Sequence, residues 1–156
     1  MASMTVKKHV EAPPERVFAA ATDFQNLPKF IRGIKKVEML TDGPVGAGAR
    51  FRETRTVFKR EATEEMQVTA FEPPRRVALG CESCGCRYHT EFTFTPAGNG
   101  TDVRMTFEAQ PLSLFAKVMS VLMKPMIKAC LRESEKDLDD VKAAVESGRW
   151  AATRVA

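Results

Sequence analysis

A chain of 156 residues with 44% hydrophobic and 28% charged residues has the length of one domain and an ordinary globular composition, which excludes disordered and fibrous classes. The net charge of +4 comes from Lys and Arg mixed with acids along the chain, so it reads first as solvated surface, ahead of a nucleic-acid or anionic-membrane footprint. No apolar run of signal-peptide length follows Met1, and no stretch approaches the roughly 20 apolar residues of a membrane span, so a cytoplasmic protein with its cysteines as thiols is expected.

Thr5 to Glu11 reads as a first strand, with Val6 and Val10 on one face and Pro13-Pro14 as its stop. Pro14 to Ala21 has helix-forming composition with proline and Glu15 in the first turn, and it ends by Asp23. A second short helical turn carries Leu27, Pro28 and Phe30. Both pieces are too short to stand alone and must pack on neighbours.

After Gly33 the pattern alternates, and six strands are predicted: Ile34 to Leu40, Ala49 to Phe58, Ala62 to Phe71, Val77 to Cys81, Cys86 to Thr95 and Asp102 to Ala109. The breaks between them are short, which predicts an antiparallel meander. Placing Arg55 opposite Glu64 puts Glu53 against Met66 and Phe51 against Val68. Carried across the later hairpins, the same face gains Val77, Leu79, Cys81, Tyr88, Thr90, Phe92, Phe94, Val103, Met105 and Phe107. A one-residue slip anywhere would break that apolar run. The other face carries Arg50, Arg52, Glu65, Gln67, Glu91, Arg104 and Glu108, which suits water.

From Leu112 to Ser147 apolar residues recur at steps of three and four: Phe115, Met119, Leu122, Met126, Ile127, Leu131, Leu138, Val141 and Val145. One long helix is predicted, capped by Ser113, ended by Gly148 and kinked at Pro125. Before the kink Val118, Val121 and Met123 widen the apolar belt; after it, the seam is narrow and Lys136 and Asp140 are spaced for a surface pair. The sheet's apolar face needs a cover, and this helix is the element large enough to supply it.

The order of strand, two short helices, meander and long C-terminal helix resembles the helix-grip, α+β fold of the START-like (SRPBCC) superfamily, including its polyketide cyclase/dehydrase family. The resemblance spans about Met4 to Ser147. It is carried by Ala12-Pro13-Pro14-Glu15-Arg16-Val17-Phe18, Asp23 with Leu27-Pro28-Lys29-Phe30, Gly46 with Gly48, Phe71-Glu72-Pro73-Pro74-Arg75-Arg76-Val77, and Phe94-Thr95-Pro96 leading to Gly100-Thr101. The glycine-rich loop of the allergen-like branch is absent. One ligand-binding domain over residues 1–147 is expected, followed by a mobile tail over 148–156. The tail's Arg149, Trp150 and Arg154 could alternatively form a lip over the pocket or a membrane-surface contact.

In such a fold the curved sheet wraps the helix around a cavity. The meander then gathers Glu53, Arg55, Glu64, Cys81, Tyr88 and Thr90 near Phe115, Val118, Met119 and Leu122, with Met66, Leu79, Phe92, Met105, Phe107 and Met126 completing the lining. Arg55 could hold a carboxylate, enolate or quinone oxygen, Glu64 or Glu53 could act as a base, and Tyr88 could orient or protonate a carbonyl. The plainer alternative is a cross-strand ion pair between Arg55 and Glu64.

Cys81, Cys84, Cys86 and His89 look like a zinc quartet on paper, but the register sends His89 outward and leaves Cys84 in a turn, so no metal is expected. Cys130 reads as core. His9 and His89 both face away from the cavity, which removes a Ser-His-Asp or Cys-His assembly, and phosphate-binding glycine motifs are missing, so no cofactor is expected. The leading expectation is carriage or sensing of a lipid, quinone or polyketide-like molecule by a monomer or homodimer. Alternatives are a cyclase or dehydratase using Arg55, Glu64 and Tyr88, and an interaction module using the Val121 and Met123 side of the helix. Transient membrane contact is compatible with all three.

Overall fold

Alternation of apolar and polar residues with a period of two drives the strands into one sheet, because only that arrangement buries every second side chain on one side. The strands are β1 (Ala2–Val10), β2 (Ile34–Met39), β3 (Arg50–Val57), β4 (Arg60–Glu72), β5 (Arg76–Ser83), β6 (Cys86–Ala97) and β7 (Gly100–Pro111). They form a seven-stranded antiparallel sheet in the order β1-β7-β6-β5-β4-β3-β2. Between β1 and β2 lie α1 (Pro14–Ala21) and a 3₁₀ helix (Phe24–Lys29); α2 (Leu114–Leu122) and α3 (Lys124–Glu146) follow β7. The computed structural model describes residues 2–57, 59–83, 85–122 and 124–150, and the side chains of Ala2, Val57, Met126, Ile127 and Cys130 lie outside the described set. The helix-grip architecture expected from the sequence is the architecture observed.

The faces of the sheet are as expected, whereas one register differs by two residues. Phe51 pairs with Met66, Glu53 with Glu64 and Arg55 with Ala62. The β3–β4 turn closes earlier than supposed, since Val57 pairs with Arg60 and Lys59 adopts a left-handed φ of 64°. A shift of two keeps every side chain on its face, so the apolar side survives while the partners change. The pair of Arg55 with Glu64 is therefore replaced by two carboxylates facing each other across the strands. A bulge between Val68 and Ala70 also turns Phe71 inward, where its ring meets Phe18 edge-on at 5.3 Å.

One end of the concave face is closed. Val17 and Phe18 of α1, Phe24 and Leu27 of the 3₁₀ helix, and Leu138, Val141, Ala144 and Val145 of α3 pack on Phe51, Val68, Val77, Phe94 and Val103. Phe24 stacks on Phe51 with centroids 4.5 Å apart. Trp150 joins this core at 6% exposure, its indole Nε1 donating to Asp23 at 3.1 Å. The mobile tail expected from residue 148 is thus corrected at Trp150: an indole that finds both an apolar slot and a carboxylate acceptor stays docked. Gly148 still ends α3 in the left-handed conformation, with φ of 77°.

The C-terminal helical region departs from expectation. Ser113 caps α2 as anticipated, accepting from the Ala116 amide at 3.1 Å. The described part of the apolar belt before Pro125, however, does not cover the sheet, and Met123 lies outside the described residues. Phe115 is 76% exposed, Leu122 68%, Val118 57% and Met119 38%. The residue that α2 does bury is Ala116, at 3% exposure.

Candidate functional site: an open apolar trough with a buried ionic brace

Along each central strand the inward side chains change from buried to half-exposed. Val68 on β4, Val77 on β5 and Phe94 on β6 are sealed, while Met66, Leu79, Cys81, Tyr88, Thr90 and Phe92 further along the same face are only partly covered, as is Phe107 on β7. Residues that point into a concave face yet keep contact with solvent mark the floor of an open trough, at the end of the sheet away from α1. Met105 belongs to the sealed part, at 2% exposure. Tyr88 and Phe107 stack across β6 and β7 with centroids 5.7 Å apart, giving the trough an aromatic wall.

Phe115, Val118 and Leu122 do not line this trough as expected, for a physical reason visible in the β5–β6 hairpin, while Met119, 38% exposed, lies nearer the Ala116 side of the helix. The Leu112 amide donates to the Gly85 carbonyl at 2.9 Å, and Ala116 then lies over Gly85, where an added Cβ would come within 3.3 Å of the Ala116 Cβ. That small-on-small contact fixes the rotation of α2. Successive residues turn by about 100°, so the side opposite Ala116 carries Leu114, Phe115, Val118, Val121 and Leu122, and it faces away from the sheet. Met126 was also expected in the lining; its side chain lies outside the described residues.

The polar part of the site is built by β3 and α3. Arg55 donates from Nε to Glu53 Oε1 at 2.7 Å and from Nη2 to Asp137 Oδ2 at 2.9 Å. Glu53 is 6% exposed, so this is a brace inside the protein, tying the sheet to the helix. Burial works against the Arg55 cation, but Glu53 and Asp137 outweigh it and hold its pKa above the ordinary arginine value. Asp137 is affected most by burial, which raises its pKa, while Arg55 pulls it back. Three residues further on, Asp140 accepts from the Arg32 backbone amide at 3.0 Å and from its guanidinium at 3.1 Å. The expected surface pair of Lys136 with Asp140 is therefore corrected: Lys136 meets Glu133 at 3.1 Å, and the buried Asp140 takes the backbone donor within its reach.

Glu64 sits nearer the mouth. The Ser83 hydroxyl donates to its Oε1 at 3.1 Å, and the Cys81 thiol lies 3.7 Å from Oε2. Burial and the Glu64 carboxylate push the Cys81 thiol up to about 11, so it is a protonated, unreactive thiol at neutral pH. Cys86 is buried at the hairpin end, and Cys84 lies outside the described residues. Pairing of Gly80 with His89 and of Cys81 with Tyr88 sets His89 on the face opposite Cys81. Among the described residues no three His, Cys, Asp or Glu side chains are placed to hold a metal ion.

Sequence reasoning missed Asp137. The available signal was its position, since Ser134, Asp137, Leu138 and Val141 share one helix face and an acid on a core-facing seam calls for a buried cation. Two hollows, of about 430 and 440 Å³, border the site: one is lined by Arg32, Lys59, Lys136 and Asp140 together with Asp137 of the brace, the other by Arg50, Glu65, Glu82 and Arg87 together with Met66 and Cys81. Charged side chains stand in both walls, whereas the trough floor of Met66, Leu79, Tyr88, Phe92 and Phe107 has none.

The chain matches the family model for polyketide cyclase/dehydrase and lipid transport over residues 1–146. A comparison with curated proteins gives no match. Among solved structures, TTHA0849 from Thermus thermophilus aligns with TM-score 0.74 and 20% identity, covering 96% of this chain and 100% of that one. The di-domain ARO/CYC BexL of the BE-7585A biosynthetic pathway aligns with TM-score 0.77 and 16% identity over 93% of this chain and 50% of that one. A START superfamily protein from Mycobacterium smegmatis aligns with TM-score 0.73 and 15% identity over 93% and 97%. At these identities the structural likeness is one of fold. No described helix is long and apolar enough to cross a membrane. From the family match across nearly the whole chain, on a seven-stranded sheet gripping its C-terminal helix, the protein belongs to the polyketide cyclase/dehydrase and lipid transport family.

Proposed function

We propose that the protein binds and carries a hydrophobic small molecule, of lipid, quinone or polyketide-like class, in the trough between the sheet and the C-terminal helices. The observation that carries this reading is the row of inward-facing yet half-exposed side chains Met66, Leu79, Tyr88, Phe92 and Phe107. Such a floor leaves apolar area wet until something covers it, and each Å² covered contributes about 25 cal/mol. Glu64 and the Ser83 hydroxyl at the mouth offer one polar anchor beside the apolar floor.

A second reading, cyclisation or dehydration of a polyketide-like substrate, draws on the Glu64 carboxylate as a base facing the trough. It ranks behind carriage because Arg55, the cation that would hold an enolate, has two nitrogens engaged by Glu53 and Asp137. The test is uptake of the amphiphilic anionic dye 1-anilinonaphthalene-8-sulfonate together with native mass spectrometry of protein purified from its host. One dye per chain is expected, with affinity falling about tenfold or more in Phe92→Glu. Absence of both dye uptake and a co-purified molecule would overturn carriage, and turnover of a polyketide substrate lost in Glu64→Gln would replace it with the enzyme.

A further inference from the structure

The side of α2 that faces away from the sheet is a continuous apolar surface, with Leu114 80%, Phe115 76%, Leu122 68%, Val121 60% and Val118 57% exposed. These are not side chains waiting to fold inward, because Ala116 on Gly85 already fixes which side of α2 meets the protein. Along the chain, the charge on and beside this helix is of one sign. From Ala109 to Arg132 the chain has no Asp or Glu and four cations: Lys117, Lys124, Lys128 and Arg132. The chain as a whole is close to balanced, with 24 basic and 20 acidic residues, so this segment concentrates what the total conceals.

We propose that α2 is an interfacial anchor that lays its Leu114–Leu122 face into an anionic lipid bilayer, with Lys117, Lys124 and Lys128 against the headgroups. An exposed amphipathic helix with Phe and Leu on one side and only lysine as charge has the chemistry for that interface and lacks the length to span it. Apolar burial and headgroup attraction then act together. A second copy of the chain fits less well, because a self-complementary contact through this face would bring two all-cationic segments together. The proposal stands apart from what the trough holds.

The test is sedimentation of the full chain with vesicles of phosphatidylcholine alone and of phosphatidylcholine mixed with phosphatidylglycerol. Binding is expected to the mixed vesicles, to weaken as salt rises, and to be far lower on the neutral ones. Replacing Lys117, Lys124 and Lys128 together by Ala should reduce affinity about a hundredfold, at about fivefold per charge. Leu114→Asp with Phe115→Asp should abolish sedimentation while the circular dichroism spectrum and the urea unfolding midpoint stay those of the wild type, which shows that the variant is folded. No binding to the mixed vesicles at low salt would overturn the proposal. Equal binding to both vesicle types would overturn it as well. So would a dimer that Phe115→Asp dissociates in a protein that ignores vesicles.

Discussion

The Glu53–Arg55–Asp137 brace shows how a charged side chain can read as a ligand hook and serve as a fastener. Arg55 is 22% exposed at its side chain, Asp137 18% and Glu53 7%, so none of the three is fully hydrated and each depends on the others. Removing Arg55 leaves two carboxylates in a poorly solvated place, and Arg55→Ala is expected to cost about 3 kcal/mol, measured by urea unfolding. If Arg55→Ala unfolds at the wild-type denaturant concentration while ligand affinity collapses, the brace description is wrong and Arg55 serves the ligand directly. The presence of Glu53 and Arg55 on the concave face was legible from alternation alone. Asp137 was not, because it lies 82 residues away, and the period of a helix shows which residues share a side without showing which strand they meet.

At the scale of the element, the apolar side of α2 and the position of Trp150 both differ from expectation, for opposite reasons. The 3.6-residue pattern of Phe115, Val118, Met119 and Leu122 correctly shows an apolar side but carries no information about what covers it. The deciding contact is Ala116 on Gly85, two residues that hydrophobic patterns ignore because their contribution is the absence of bulk. Trp150 has the reverse problem: two residues beyond the helix-ending Gly148 there is no periodicity left to read, yet a large indole rarely remains in water when a slot is near. Trp150→Ala is expected to cost about 3 kcal/mol, with Arg149→Ala close to neutral, because one empties a packed site and the other alters an exposed side chain. The chain's single Trp also supplies the readout, a blue-shifted emission that moves to the red on unfolding. Wild-type emission typical of a solvated indole would contradict the docked arrangement.

Across the whole molecule, α3 behaves as a strut joined to both margins of an open sheet. Glu135 and Asp139 meet Lys8 on β1 at 3.2 and 3.1 Å, while Asp137 and Asp140 reach Arg55 on β3 and Arg32 just before β2. β1 and β2 are the two edges of the sheet, so the helix ties it from side to side, through Lys8 and Arg32 toward the closed end and through Arg55 toward the trough. α2 has no comparable set of ties among the described residues, resting on Gly85 through Ala116 and Leu112. Cooperative opening should therefore differ along the molecule, since local stability follows buried apolar contact. Amide hydrogen exchange is expected to be at least about tenfold faster in α2 than in residues 138–146 of α3. A dye in the trough should slow exchange around Tyr88–Phe92 and Phe107, and leave the Phe51–Phe24 end unchanged. The same stability gradient would let the proposed ligand enter without disturbing the core that α1, the 3₁₀ helix and the C-terminal part of α3 build on the sheet. Uniform protection along α2 and α3, or dye-induced slowing confined to the closed end, would remove the basis for dividing the molecule into a frame and an entrance.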